Sequence, residues 1–378
     1  MQKLIGKKEI SMKILNISIL TVIISFAFST ATFSNHLKGK SKEEIDKYLE
    51  IRTVSLPAKF DKIKIKSANK IKSLNIKLIE NKNIKEIDKN IKNKSLLSVI
   101  YFDGKDIVVN KKTEKIKDDT KLYSFSISKS FVSYILGEAI CNGHIKSLED
   151  KISVYVPETK GTVYENSTLK ELINMSAGDT KFSSRKPGSA NSPYVSKVVG
   201  TKETTVKDYL NLSTGVKLSK KEFNYNNLLT DLVARAIDTS VPGGLKKSYE
   251  SLANKSGTGS EMYFLTDDNG WPLLHGWFYA TREDFLRLAI QVSQDWNSKS
   301  CVGNYLNKIE NMKIDTEQDK SEYSGYFWYD QEIKSRHVQM RGHGGQRIHI
   351  DLEKGSILIY HSITKDYDNK SIWNLIKN

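Results

Sequence analysis

The chain contains little cysteine and little proline, with 2 Cys and 6 Pro among 378 residues. Two cysteines, Cys141 and Cys301, are too few for a disulfide-rich scaffold, and their spacing matches no metal-binding motif. Cys141 lies on the apolar stripe of a predicted helix, which favours a buried thiol. An oxidising compartment would permit one bridge between the two residues. The sequence leaves both states open, and it predicts neither a metal nor a cofactor.

Long apolar runs are also scarce, since only the N-terminal segment contains one. Residues 1–34 join a basic start to an apolar run at residues 14–28. Small residues follow at Ser29 and Ala31, which is the pattern of a cleavable signal peptide. Residues 14–33 are also long enough to span a bilayer, so an uncleaved membrane anchor is the alternative. Both interpretations predict an exported protein, periplasmic or extracellular.

The net charge of +15 is concentrated near the N-terminus. Residues 1–95 contain 21 Lys/Arg and 9 Asp/Glu, an excess of 12, which leaves only +3 on the rest of the chain. No nucleic-acid recognition motif accompanies this charge, so we expect no nucleic-acid partner. Residues 35–95 are rich in Lys, Ile and Asn, and we predict a basic linker with some helix. The main domain is predicted at residues 96–378.

One Ser-x-x-Lys pair begins a strongly apolar helical pattern, which ends at Asn142 and Gly143. Residues three apart share a helix face, so a neutral Lys129 amine can reach and activate the Ser126 hydroxyl. In isolation, such a pair is more often a helix cap and a solvated lysine. Four further pairs show the same spacing: Ser67/Lys70, Ser167/Lys170, Ser183/Lys186 and Ser362/Lys365. Ser167 begins another predicted helix, where we expect it to act as the cap.

A Tyr-x-Asn motif, Tyr225 to Asn227, could supply a phenol for proton transfer and an amide. It is predicted to lie in a loop directly before a helix at residues 228–237. The same spacing recurs at Tyr209/Asn211, Tyr305/Asn307 and Tyr367/Asn369, so the motif is weak alone.

A third motif, Gly342-His343-Gly344-Gly345-Gln346, occurs once and runs into an alternating strand pattern. Gly344 and Gly345 would let a substrate lie against the backbone of an edge strand.

These motifs occur in the order S-x-x-K, Y-x-N and [KH]-x-G, which resembles the serine β-lactamase and penicillin-binding-protein superfamily. Within it, the chain is similar to the class C β-lactamase-like serine hydrolases, a branch that includes esterases and 6-aminohexanoate-dimer hydrolase. The resemblance covers residues 96–362. It implies an α/β (α+β) fold, with an antiparallel sheet flanked by helices on both faces. A mostly helical subdomain is expected between a hairpin around Asp103-Gly104 and the C-terminal strands.

The resemblance also implies a role for each motif residue. Ser126 would be the nucleophile that forms an acyl-enzyme, and Lys129 would be its base. Tyr225 would pass a proton to the leaving group, and Asn227 would orient the lysine or the substrate. The remaining assignments are His343 near Tyr225 and an oxyanion hole from the backbone N–H groups of Ser126 and Gln346.

The chain departs from the superfamily in its third motif, where His343 replaces the usual lysine. A histidine is a weaker donor to a substrate carboxylate, so we favour a small ester, amide or peptide substrate over a β-lactam. Arg341 or Arg347 could restore an anion site, although each could be a surface charge. Residues 255–259 imitate a Lys-Ser-Gly motif but follow Tyr225 too soon, and we predict a surface loop there.

Two other functions remain open for the same motifs. The first is a D-alanyl-D-alanine carboxypeptidase or a β-lactamase. The second is a non-catalytic protein that binds peptidoglycan or peptides on the same fold. Pocket shape is expected to depend on residues 179–200, predicted as a long irregular loop, and on residues 271–279.

Overall fold

The computed structural model describes residues 41, 43–44, 60–183, 193–200, 204–318, 320–363, 365 and 367–377. The predicted leader, residues 1–34, lies outside these residues, as do residues 184–192 of the predicted loop. Within the described ranges, no helix is long and apolar enough to cross a membrane.

Twelve strands are described, and they form two sheets. They are β1 Asp61–Ile65, β2 Leu96–Phe102, β3 Ile107–Lys112, β4 Leu122–Tyr123, β5 Met262–Thr266, β6 Phe278–Ala280, β7 Ile314–Gln318, β8 Ser321–Ser324, β9 Phe327–Asp330, β10 His337–Arg341, β11 Arg347–Asp351 and β12 Ile357–Ser362.

The described α-helices lie mostly between the N-terminal hairpin and the C-terminal strands. They are α1 Lys82–Asn93, α2 Ile127–Cys141, α3 Leu169–Ile173, α4 Thr180–Ser183, α5 Val206–Asn211, α6 Asn227–Ser240, α7 Gly244–Ser256, α8 Arg282–Trp296, α9 Cys301–Glu310 and α10 Asn369–Lys377. The helical subdomain predicted at this position in the chain is therefore confirmed.

The larger sheet has eight strands in the order β3-β2-β12-β11-β10-β9-β8-β7, with antiparallel neighbours throughout. The predicted hairpin around Asp103-Gly104 is confirmed as β2 and β3. Gly104 has φ +104°, and a Cβ there would lie 2.8 Å from the Lys354 carbonyl oxygen. Glycine is therefore required at this turn.

Helices cover both faces of the eight-stranded sheet. Because side chains of a strand alternate between faces, neighbouring residues of β2 pack into different cores. In β2, Ile100 packs into the main core with the helices around α2, and Val99 packs into a second core. That second core contains Ile87 from α1 and Ile372 from α10. The predicted antiparallel sheet with helices on both faces is thus confirmed.

The smaller sheet has four strands in the order β1-β5-β6-β4 and was not predicted. Its edge strand β1 belongs to residues 35–95, the predicted linker, and pairs with β5 about 200 positions further on, from Asp61 opposite Thr266 to Ile65 opposite Met262. Helix α1 lies in the same region and contacts β2 and β3. Residues 60–95 therefore contribute a strand and a helix to the folded domain.

A disulfide joins Cys141 to Cys301, with a Cα–Cα distance of 5.8 Å. It connects the last residue of α2 to the first residue of α9, two helices that pack against each other. The favoured prediction of a buried free thiol at Cys141 is therefore wrong, and the alternative of one bridge is the state observed.

Candidate active site

Ser126 lies at the N-cap of α2, in a turn with strained backbone. Phe125, directly before it, has φ +48°, a conformation that costs free energy for a residue with a Cβ. Its carbonyl oxygen accepts from the Ser128 backbone N–H at 3.2 Å and from the Ser128 hydroxyl at 3.0 Å. Although Ser126 has the N-cap position, its side chain accepts no capping hydrogen bond among the described residues. The hydroxyl is therefore not used to stabilise the helix.

Lys129 is buried, with only 1% of its surface exposed. Its Nζ lies 3.0 Å from the Ser126 Oγ and also donates to the His275 carbonyl oxygen. Lysine is rarely buried to this degree. A neutral amine has one lone pair and two N–H groups, so it can accept the serine proton while it donates to the carbonyl. The role of Lys129 as the base for Ser126 stays a prediction, and this distance is compatible with it.

Three consecutive carbonyl groups support the first turn of α2. The Ser128 hydroxyl donates to the Leu274 carbonyl oxygen at 2.6 Å, and the Ser124 hydroxyl donates to that of Gly276 at 2.9 Å. The carbonyl between them belongs to His275, which accepts from Lys129. We call residues 274–276 the carbonyl floor. The sequence predicts only a contribution of residues 271–279 to pocket shape and not this role, because a backbone acceptor leaves no residue-type signal.

A buried carboxylate fixes the carbonyl floor through hydrogen bonds to His275. Asp231, on α6, accepts from the His275 backbone N–H at 2.8 Å and from the His275 Nδ1 at 2.6 Å. The Tyr194 hydroxyl donates to the same carboxylate at 2.6 Å. Burial, together with the nearby Asp231 charge, raises the pKa of Tyr194 well above its usual value. Tyr194 therefore stays protonated and remains a donor.

Tyr225 forms a side of the site next to the lysine. The Lys129 Nζ lies 5.2 Å from the centre of the Tyr225 ring. Trp328 stacks on Tyr225 at 6.0 Å between centroids, and Phe223 and Tyr323 complete the aromatic cluster. The structure thus brings Ser126, Lys129 and Tyr225 together, as predicted from the order of the motifs.

The second motif lies where the sequence places it. Tyr225 is in a loop directly before α6, and Asn226 caps this helix by accepting from the Leu228 backbone N–H at 3.0 Å. Asn227 is the first residue of the helix and is partly buried. Its role towards the lysine or substrate stays a prediction.

The third motif lies in the connection between β10 and β11 and not on an edge strand, so that expectation is wrong. Both strands are interior to the sheet, because each hydrogen-bonds to a neighbour on either side. The turn still lies beside the segment that carries Ser126. The His343 ring lies 5.8 Å from the Phe125 ring, and a Cβ on Gly342 would lie 3.0 Å from the Ser124 carbonyl oxygen. The catalytic role of His343 stays a prediction.

Gly344 and Gly345 are buried and have φ +73° and +94°. A Cβ on Gly344 would lie 2.4 Å from the Ile363 carbonyl oxygen, and one on Gly345 would lie 2.6 Å from the Tyr367 hydroxyl. The chain's own packing therefore requires both glycines, whether or not a substrate also approaches them. The Gln346 side chain donates to the Ser362 carbonyl oxygen, and its backbone N–H stays a predicted oxyanion donor.

The two arginines beside this motif are engaged within the sheet. Arg341 donates to Gln339 at 2.9 Å and to Ser321 at 3.0 Å, and its guanidinium lies 4.9 Å from the centre of the Trp328 ring. Arg347 donates to the same Gln339 oxygen at 2.9 Å.

The rival pairs differ from Ser126 and Lys129 in burial. Lys70 and Lys365 are exposed, and the Lys170 side chain is 42% exposed in an ion pair with Glu149. Lys186 lies outside the described residues. The prediction that Ser167 caps α3 is wrong. Thr168 is the cap, because it accepts from the Glu171 backbone N–H and forms the capping box.

Residues 255–259 do not form the predicted surface loop throughout. Lys255 and Ser256 end α7, and Gly257 closes this helix with φ +70°. The Lys255 Nζ pairs with Asp295 at 2.9 Å and joins α7 to α8, which is a structural role. Across the described residues, no group of three or more His, Cys, Asp or Glu side chains is arranged to hold a metal ion.

Comparisons with known proteins identify the family of the chain and agree with its fold. The family model described as Beta-lactamase matches residues 87–371. A solved structure described as a 6-aminohexanoate-dimer hydrolase from Bacillus anthracis is similar with a TM-score of 0.69 at 15% identity, over 88% of this chain and 93% of that one. A D-stereospecific amidohydrolase from Streptomyces sp. is similar with a TM-score of 0.57 at 15% identity, over 77% and 96%.

A third similar structure is the D-alanine carboxypeptidase AmpC from Burkholderia cenocepacia, with a TM-score of 0.54 at 11% identity, over 78% of this chain and 96% of that one. At these identities the solved structures support the fold alone. No curated protein matches the chain.

Proposed function

Because the chain belongs to the Beta-lactamase family, we propose that it is an exported serine hydrolase that cleaves an ester or amide bond through an acyl-enzyme on Ser126. One observation carries the proposal. A buried lysine amine lies 3.0 Å from a serine hydroxyl that caps no helix among the described residues. The alternative of a cap and a solvated lysine would require a capping bond and an exposed amine.

The proposed reaction has two steps. The Ser126 Oγ attacks the substrate carbonyl carbon, and its proton passes to the Lys129 Nζ. The bond to the leaving group then breaks as the Tyr225 hydroxyl gives that group a proton and recovers one from the Lys129 ammonium. Water next attacks the acyl carbon, restores the Ser126 hydroxyl and releases the acid. The net change is hydrolysis of one ester or amide.

The charge that develops on the carbonyl oxygen needs donors. We propose the backbone N–H groups of Ser126 and Gln346 for this role. Ser126 also lies at the N-terminus of α2, where the helix dipole stabilises negative charge.

The third motif supports an uncharged ester or amide as substrate. His343 stands where the superfamily usually has the lysine that helps bind a carboxylate. Arg341 and Arg347, which could replace that cation, both donate to Gln339.

The disulfide supports export. A bridge between Cys141 and Cys301 forms and persists in oxidising compartments such as the periplasm or the extracellular space. The leader at residues 1–34 would direct the chain there, either cleaved or retained as an anchor through residues 14–33. Intact mass spectrometry of the protein from both the membrane and the soluble exported fractions distinguishes these two forms.

A substrate screen tests the proposal. We expect the purified protein to hydrolyse short acyl esters or linear amides faster than nitrocefin or a D-alanyl-D-alanine peptide. Ser126→Ala should abolish this turnover with a nearly unchanged thermal transition. Ser67→Ala, in a Ser-x-x-Lys pair whose lysine is exposed, is the matched control and should keep full activity. If wild type and Ser126→Ala are equally active, or if wild type is inactive on all four classes, the proposal is wrong.

A further inference from the structure

Two buried asparagines flank Tyr225, and both donate to one carboxylate. The Asn224 Nδ2 lies 2.7 Å from the Asp179 Oδ1, and the Asn226 Nδ2 lies 2.7 Å from the Asp179 Oδ2. Asp179 is fully buried, and the asparagines are 6% and 1% exposed. Hydrogen bonds to a buried carboxylate are among the stronger ones in proteins, so this group fixes both neighbours of the tyrosine.

The backbone of the same two residues is held by Met175. The Met175 carbonyl oxygen accepts from the Asn224 backbone N–H at 2.7 Å, and its Sδ lies 3.5 Å from the Asn226 backbone nitrogen. Met175 has φ +53°, which is in the left-handed region that residues with a Cβ rarely adopt. Strain of this kind persists where the surrounding contacts stabilise it.

The contacts fix the direction of the tyrosine. Asn226 has extended backbone, with φ −126° and ψ 122°, and neighbouring side chains in extended chain point to opposite sides. With Asn224 and Asn226 directed at Asp179, Tyr225 points the other way. Its ring lies 5.2 Å from the Lys129 Nζ on this side.

The carboxylate itself is occupied by the protein. The Asp179 Oδ2 also accepts from the Tyr164 hydroxyl at 2.8 Å, so three side chains donate to its two oxygens. Burial, with the nearby Asp179 charge, raises the pKa of Tyr164 well above its usual value, so its hydroxyl stays a donor. Asp179 is therefore suited to hold Tyr225 in place and not to bind substrate.

We propose that Asp179 is a positioning residue for proton transfer by Tyr225, acting through Asn224 and Asn226. The inference rests on the proposed function, in which the Tyr225 hydroxyl protonates the leaving group. That step matters for an alkoxide or amine, which leaves poorly without a proton. It matters little for p-nitrophenolate, which leaves as an anion. If Tyr225 is held less firmly, hydrolysis of substrates with an alkoxide or amine leaving group should therefore slow more than hydrolysis of p-nitrophenyl esters.

The test compares two esters of the same acid, a p-nitrophenyl ester and an alkyl ester. In Asp179→Asn, we expect kcat/KM for the alkyl ester to fall at least tenfold further than for the p-nitrophenyl ester. Tyr225→Phe should show the same selectivity. Adding Asp179→Asn to Tyr225→Phe should not change the ratio of kcat/KM for the two esters any further. Equal losses on the two esters in Asp179→Asn would overturn the inference.

A swapped pair keeps the test valid if Asp179→Asn folds poorly. In Asp179→Asn with Asn226→Asp, the new carboxylate can still cap α6 and accept from Tyr164, and the new amide can donate to it and accept from Asn224. We expect this double variant to restore the wild-type ratio. A folded double variant that keeps the altered ratio would contradict the inference.

Asp284→Asn is the matched control. Asp284 is equally buried and accepts from the Gly259 and Ser260 backbone N–H groups, but it lies on α8 away from the aromatic cluster. Its replacement should lower stability and leave the ratio of the two esters unchanged. If it shifts the ratio as Asp179→Asn does, the effect is general destabilisation and the inference is wrong. If wild type hydrolyses neither ester and none of the substrates of the screen above, the proposed function fails, and the inference fails with it.

Discussion

The Asp231 carboxylate accepts two hydrogen bonds from His275, one from the His275 backbone N–H at 2.8 Å and one from the His275 Nδ1 at 2.6 Å. A carboxylate can only accept here, so the Nδ1 carries a proton. The contact matters because the carbonyl of the same histidine accepts from Lys129. A single buried acid thus sets the position of the group that holds the proposed base.

Asp231→Asn should lower the free energy of unfolding by about 2–4 kcal/mol, because it removes charge-assisted hydrogen bonds and leaves a buried donor poorly paired. Hydrolysis should fall as well, since the His275 carbonyl loses its fixed position. Urea unfolding and kcat/KM measure the two effects. Asp238→Asn, near the partly exposed end of the same helix, should cost less than about 1 kcal/mol. Equal destabilisation by the two variants would contradict this account.

Two buried histidines predict how stability depends on pH. Burial lowers the pKa of both His349 and His361 to about 3. The unfolded chain binds protons at these residues below about pH 6.5, whereas the folded chain does not until about pH 3. Stability should therefore fall as the pH decreases from 6.5 towards 3, by up to about 1.4 kcal/mol per pH unit for each histidine.

His361→Asn isolates part of this effect, because asparagine does not titrate and can still bond Ser98, which lies 3.2 Å from the His361 Nδ1. The variant should show a shallower loss of stability between pH 6.5 and 4.5. Urea unfolding across that range provides the slopes. A slope identical to wild type would show that His361 titrates normally in the folded state.

Gly344 and Gly270 have the same φ of +73°, but only Gly344 has a close neighbour at the position of a Cβ. Gly270→Ala should cost about 1 kcal/mol from its left-handed backbone alone. Gly344→Ala should cost clearly more and also lower turnover, because the Ile363 carbonyl must move and the turn carries His343. Thermal unfolding and kcat/KM compare the pair. Similar effects of the two variants would mean that the packing at Gly344 is not essential.

The disulfide should contribute to stability and not to catalysis. It closes a separation of 160 residues and lies at the opposite end of α2 from Ser126. Cys141→Ser with Cys301→Ser should lower the free energy of unfolding by about 2–4 kcal/mol and keep kcat/KM within about twofold. Thiol titration of the unfolded wild-type protein should detect no free thiol before reduction. Two free thiols would contradict the bridge.

The elements that the sequence predicts well have local signals. The hairpin at Asp103-Gly104 combines two β-rich runs with a turn, and the helix after Ser126 has continuous apolar periodicity. Strand β1 also alternates, as Asp-Lys-Ile-Lys-Ile, but its partner β5 lies about 200 residues away. Alternation indicates that a strand is possible but does not identify its partner, so the sequence alone predicts a linker for this segment.

The residues of the site also fall into those with a signal in the sequence and those without one. Ser126, Lys129 and Tyr225 could be found because their residue types and order carry chemistry. Asp179 and Asp231 could not, because each acts through hydrogen bonds to residues more than 40 positions away. The carbonyl floor is made of backbone atoms and has no residue signature. Such supporting groups become visible only when the fold brings distant segments together.

The most direct test is covalent labelling of the nucleophile. A fluorophosphonate probe reacts with an activated serine hydroxyl and adds one fixed mass, which intact mass spectrometry and peptide mapping locate. Wild type should gain one adduct on Ser126, Lys129→Met should label much more slowly, and Ser126→Ala should gain none. If wild type forms no adduct with this probe, or if the adduct persists in Ser126→Ala, Ser126 is not an activated nucleophile and the account is wrong.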